Sequence, residues 1–94
     1  MVIVGFACRE TEKVFHGEFS VRLAHDMQSV ARRKLRYLHQ ARTLSDLRQP
    51  PGNRLEALAG DRAGYHSIRV NDQWRICFLW TERGPKDVEI VDYH

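Results

Sequence analysis

Residues 60–80, GDRAGYHSIRVNDQWRICFLW, decide the fold. Two runs with strand character, 65–70 and 74–80, flank the polar triplet Asn71-Asp72-Gln73, and the stretch therefore predicts a β-hairpin. Period-two alternation puts Trp74, Ile76, Phe78 and Trp80 on one face of the second strand, with Arg75, Cys77 and Leu79 on the other. With three residues in the turn, Val70 pairs with Trp74 and Arg69 stands opposite Arg75. Like charges directly opposed across a sheet are destabilising. A sheet that keeps the pair anticipates an anion between them, on a face left open to a ligand.

Working outward, residues 81–87 contain Gly84-Pro85 and predict a turn into a last strand at 88–93. On the other side, residues 54–58 predict a short edge strand, joined to the hairpin by a loop that Gly60 and Gly64 bracket as turn residues. Gln49-Pro50-Pro51-Gly52-Asn53 is a breaker cluster that separates layers rather than domains. Before it, residues 26–42 carry the clearest helical period, with Met27, Val30, Ala31, Leu35, Leu38 and Ala41 on one stripe and Asp26 placed as N-cap. Arg32, Arg33 and Arg36 lie off the stripe and serve either as a solvated back or as a docking face. TLSDL, residues 43–47, reads as a further helical turn, and residues 18–25 as a connection with helical tendency. In residues 9–17 Thr11 is placed to cap a short helix that Gly17 ends. Residues 2–8 form an apolar run expected as an inner or parallel-paired strand. The sum is an α+β sandwich, helices packed on one face of a sheet, whose aromatic hairpin face meets the helix stripe.

The 94 residues suffice for a single domain, 1–94, and the 43% apolar and 29% charged content is that of a globular chain rather than a disordered one. A net charge of +3, mostly from arginine, favours an acidic or nucleic-acid partner. Cys8 and Cys77 match no metal or redox spacing, and each reads as a buried reduced thiol. Neither a signal peptide nor a membrane span is legible, which points to the cytoplasm and to no membrane partner. No metal-ligand spacing, phosphate-cradling glycine loop or serine-nucleophile elbow occurs, so no metal or cofactor is expected.

The chain closes on Asp92-Tyr93-His94. An acid, a phenol and an imidazole beside a basic sheet face can share acid–base work on a phosphodiester while arginine stabilises the developing charge. The plainer reading is an exposed, fraying terminus. Parity turns His66 toward the aromatic face as a packed histidine, and His16, His25 and His39 read as surface residues.

PPGNRLEALAGDRAGYHSIRVNDQWRICFLW and VEIVDYH, with RETEKVF and VARRKLRYLHQARTLSDLR before them, resemble the HigB-type toxins of the RelE/ParE superfamily over essentially the whole chain. The resemblance implies a RelE-like fold, a mostly antiparallel sheet of four to five strands against two to three N-terminal helices. It also implies a metal-independent endoribonuclease that cuts translated mRNA in the ribosomal A site. A HigA-like helix-turn-helix antitoxin is the implied partner, and operator DNA is met through that complex. In the family pattern Arg75 matches the arginine of the W-R motif, a ligand of the scissile phosphate, and hairpin register adds Arg69 as a second contact. Asp92, Tyr93 and His94 match the terminal DYH, with His94 as the leading acid or base. Some relatives carry a histidine and a lysine where this chain has Glu56 and Ala59, which makes Glu56 a candidate base. Two alternatives share the fold: a ParE-like gyrase poison, and a catalytically impaired toxin kept for antitoxin and operator binding, to which Ala59 points.

Overall fold

The computed structural model describes residues 2–93. Its centre is the hairpin, with β2 (Tyr65–Arg69) and β3 (Trp74–Thr81) antiparallel in the expected register, Arg69 opposite Arg75. Asn71 makes the turn: its side-chain oxygen accepts from the backbone N–H of Gln73 (2.9 Å) and Trp74 (2.8 Å), which closes the chain without a glycine. β1 (Glu56–Ala57) adds to the outer edge of β2, and β4 (Gly84–Asp92) to that of β3, giving a four-stranded antiparallel sheet in the order β1-β2-β3-β4.

Two helices cover one face of this sheet. α1 (Arg9–Phe15) ends at Gly17, whose φ of 86° lets its N–H reach the Val14 carbonyl (3.0 Å) while Glu18 N–H reaches that of Lys13 (2.8 Å), a Schellman closure. α2 (Gln28–Gln40) lays Ala31, Leu35 and Leu38, all fully buried, against Ile68, Ile76, Phe78, Val88 and Ile90 of the sheet. Fully burying a leucine is worth about 1.5–3 kcal/mol, so the helix is held by its stripe rather than by its capping. Trp74 and Trp80 pack partly buried at the margins of this core.

Several boundaries differ from expectation. Residues 2–7 form no regular strand: they run beside β4 with one parallel bridge, Phe6 to Val88, and leave Val2 and Val4 exposed. Thr11 does not cap α1, which starts at Arg9; its hydroxyl is buried instead and accepts from Ile90 N–H at 2.9 Å. Asp26 makes no side-chain cap either, because a 3-10 turn over His25–Met27 precedes α2 and shifts its start. Residues 18–24 contain no helix; Gln28 clasps them, donating to the carbonyls of Ser20 (2.7 Å) and Leu23 (3.1 Å). The last strand starts earlier than its proline suggested. β4 is an outer strand, where a missing N–H costs no ladder bond, and Pro85 pairs opposite Trp80 while its carbonyl accepts from Val4 N–H. Cys8 is only half buried, and His39 is not a surface residue: its ring is half buried against Phe15 and its Nδ1 accepts from Ile3 N–H.

Candidate active site

Arg75 projects from β3 on the face away from the helices, yet it is only 8% exposed. Three bonds hold its guanidinium. Nε donates to Ser67 Oγ (2.8 Å), and Nη2 donates to the carbonyls of Arg54 (2.6 Å) and Ser67 (3.3 Å). Ser67 reaches it because the residue two before Arg75's rung partner Arg69 is diagonal to Arg75 on the same face. Arg54 turns its carbonyl inward from a left-handed conformation, φ 45°, at the end of a 3-10 turn over Pro51–Asn53. The open arginine face expected from alternation is therefore partly closed, because the chain preceding β1 folds over it. Arg69, on the same rung, bonds Asp72 within the turn. The like-charged pair is thus accommodated by acceptors of the chain itself, and folding needs no anion between the two.

Around Arg75 stand two further groups. Glu56 Oε1 lies 3.8 Å from Nη2, with the glutamate side chain 54% exposed. The Tyr93 ring sits 5.8 Å from the guanidinium carbon, in the range of a cation–π contact. The turn fixes the end of β4: Tyr93 N–H donates to the Gln73 carbonyl (2.6 Å), and Gln73 Nε2 donates to Asp92 Oδ2 (3.0 Å). Asp92 is Trp74's rung partner, so alternation sets its side chain on the opposite face from Arg75 and Tyr93. His94 lies outside the described residues. A cavity of about 320 Å³ opens beside this group, lined in part by Ala59, Arg62, Cys77, Tyr93 and also Asp92. Burial pushes the Cys77 thiol pKa up, so it presents an uncharged surface rather than a thiolate. Among the described residues, no three His, Cys, Asp or Glu side chains converge as metal donors.

The structure brings together Arg75, Tyr93 and Glu56, sets Arg69 one strand away and Asp92 behind the rung. Sequence reading missed Ser67, Gln73 and the Arg54 carbonyl. The first was accessible by carrying the parity argument one diagonal further; the others depend on loop paths without a sequence period. It also missed Lys34, which is buried under the breaker loop with Nζ 2.5 Å from Asn53 Oδ1. Burial, then repulsion from Arg33 and Arg69, lowers the Lys34 pKa. His66 is half buried and stacks on Phe78, as its parity indicated.

A family model described as the RelE-like toxin HigB of type II toxin–antitoxin systems matches residues 6–94. Toxin HigB-1 of Vibrio cholerae is 54% identical over 50 residues, which cover 53% of this chain and 53% of that protein. An uncharacterised Haemophilus influenzae protein is 33% identical over 65 residues, 69% of this chain and 64% of its own length. The chain thus spans between about half and two-thirds of the length of these relatives. With the antiparallel sheet, its helical cover and the matching model in agreement, the chain belongs to the HigB-like family of RelE-like type II toxins.

Proposed function

We propose that the chain is a toxin that cuts translated mRNA in the ribosomal A site. The reading is carried by one observation: an almost fully buried arginine, held on three acceptors of its own chain, with a phenol ring and a carboxylate against it. Fixing a guanidinium before substrate arrives removes the reorganisation that stabilising a developing charge would otherwise need. Its bidentate geometry suits a phosphate.

In this mechanism the RNA's own 2′-hydroxyl attacks the adjacent phosphorus. A base removes its proton, the new O–P bond closes a 2′,3′-cyclic phosphate, and the bond to the 5′-oxygen breaks as an acid protonates that leaving group. Arg75 holds the scissile phosphate and Arg69 a second phosphate oxygen. His94 takes the acid or base role, with Tyr93 and Asp92 orienting or assisting and Glu56 as the further base candidate. Side chains carry the proton transfers, so the reaction needs no resident metal. A HigA-like helix-turn-helix antitoxin is the proposed partner, with operator DNA reached through the complex, and the site of action is the cytoplasmic ribosome.

Mapping mRNA 5′ ends after brief induction tests this reading. Codon-phased cuts inside translated frames, lost in Arg75→Ala, are expected. Intact mRNA with a DNA-damage response would overturn it in favour of gyrase poisoning, and intact mRNA without any response would point to a silent toxin.

A further inference from the structure

Lys34 is a buried cation that the proposed reaction does not use. It lies on α2, in the helix layer, 6% exposed, with Arg33 and Arg69 near enough to repel it. Packing asks for no charge there, because an apolar side chain of similar length would fill the space without stripping an ammonium of its water. What the ammonium supplies is a donor that cannot also accept. The Asn53 amide must therefore turn its oxygen to Nζ, 2.5 Å away, which leaves the amide nitrogen to the carbonyls of Leu47 (3.2 Å) and Gln49 (3.4 Å). Asn53 is completely buried, and these bonds tie it both to α2 and to the chain that enters the proline loop. The next residue is Arg54. Its carbonyl takes the shortest of the three Arg75 bonds, 2.6 Å, and its φ of 45° is one that a residue with a Cβ keeps only where its surroundings impose it.

We infer that Lys34 is a positioning residue for Arg75: through Asn53 it fixes the turn over Pro51–Asn53, and that turn holds the Arg54 carbonyl on the guanidinium. The two cations belong to different layers, Lys34 to the helices and Arg75 to the sheet face turned away from them. Residues 50–56 cross from one layer to the other and carry the coupling. Lys34 thus acts on the chemistry only through where Arg75 sits. The inference rests on the RNA-cleaving reading and adds the support that reaches the phosphate-binding arginine from behind the sheet. Such a coupling is established by measuring it between the two positions, not by their connection alone.

The test is Lys34→Met, which keeps the aliphatic stem and removes the donor, followed by two measurements. The first is the NMR signal of the Arg75 Nε–H group, which should shift or broaden. The second is cleavage of mRNA on programmed ribosomes, where kcat should fall about 10-fold and KM stay within about 2-fold, because a misplaced group slows the step without removing a contact to substrate. Lys34→Arg restores a charged donor and should recover most of both. Lys34→Met added to Arg75→Ala should slow cleavage no further. A lowered melting temperature with the Arg75 signal and kcat as in wild type would make Lys34 a support of stability alone and overturns the inference. Should Lys34→Met fail to fold, Lys34→Gln, neutral and one bond shorter, takes its place with the same expected and refuting results. A wild-type protein that leaves mRNA intact on the same ribosomes refutes the RNA-cleaving reading itself, and the Arg75 signal then decides the positioning alone.

Discussion

Replacing Ser67 by alanine separates the anchoring of Arg75 from its chemistry. Ser67 is completely buried, and its hydroxyl accepts the 2.8 Å bond from Arg75 Nε. A hydrogen bond to a charged group is worth about 1.5–3 kcal/mol, and an orphaned buried donor carries the whole desolvation penalty. The Ser67 carbonyl and the Arg54 carbonyl still hold Nη2. Glu56 offers little compensation, because a half-exposed pair is worth at most about 1 kcal/mol. Ser67→Ala should therefore lose about 2 kcal/mol in guanidinium denaturation, with a melting temperature lowered by roughly 8–16 °C for a domain of this size. Arg75→Met removes the charge that needs an acceptor, so the pair should couple by about 1–2 kcal/mol in a double-mutant cycle. Cleavage should separate the two roles. Loss of Arg75 should slow it about 100- to 1,000-fold, the scale for removing one donor to a developing anion, while Ser67→Ala, which keeps the guanidinium, should slow it less. A Ser67→Ala protein as stable as wild type, with no coupling to position 75, would refute the claim that this bond fixes the guanidinium.

Three further perturbations follow from buried polar contacts. Asn53→Ala leaves Lys34 without its acceptor and unties the Leu47 and Gln49 carbonyls, so chemical denaturation should show a loss of about 3 kcal/mol; a loss under 1 kcal/mol counts against Asn53 as the keystone of the loop. Thr11→Val, nearly isosteric, orphans Ile90 N–H and should cost about 1–3 kcal/mol, with faster amide exchange at Ile90 as the local readout. Backbone bonds from Arg42 and Thr43 hold the Asp46 carboxyl below its ordinary 3.8, so its stabilisation is complete above that pH and fades as pH falls through the lower folded value. Asp46→Asn should accordingly be less stable than wild type near neutrality and approach it in acid; a gap constant from pH 7 to strong acid would contradict the cap.

The sheet was legible where one period ran unbroken. Trp74, Ile76 and Phe78 alternate cleanly, and the Asn71 turn is short enough to set the rung that pairs Arg69 with Arg75. The α2 stripe was legible for the same reason, since Leu35 and Leu38 meet the sheet at helical spacing. What the sequence hid is what depends on tertiary approach. Thr11 has the composition of a cap, yet a backbone N–H from β4 claims its hydroxyl. Lys34 reads as one more charge on a basic helix, and only the fold of the proline loop over it provides the amide that makes its burial tolerable. Of the candidate site, the arginine pair and the DYH end could be named from residues, whereas Ser67 and the Arg54 carbonyl could not be assigned to Arg75 without knowing how residues 50–56 cross the sheet.

The two arginines of one rung end in opposite conditions, and the difference suits two tasks. Arg69 bonds Asp72, which is 99% exposed, and such a surface pair holds by about 0–1 kcal/mol. In the proposed reaction an RNA phosphate would displace that carboxylate at little cost, which would make Arg69 an exchangeable contact whose strength falls with salt. Arg75 cannot be released in this way: its three bonds are made to acceptors inside the fold, and losing them would strand a buried charge. It can only add a ligand to the donors it has already oriented, five N–H groups in a rigid plane, of which the bonds described engage Nε and Nη2. A fixed donor set next to an exchangeable one is what the proposed in-line attack on a phosphodiester would ask for, the first to hold the reacting phosphorus in place and the second to let the strand enter and leave.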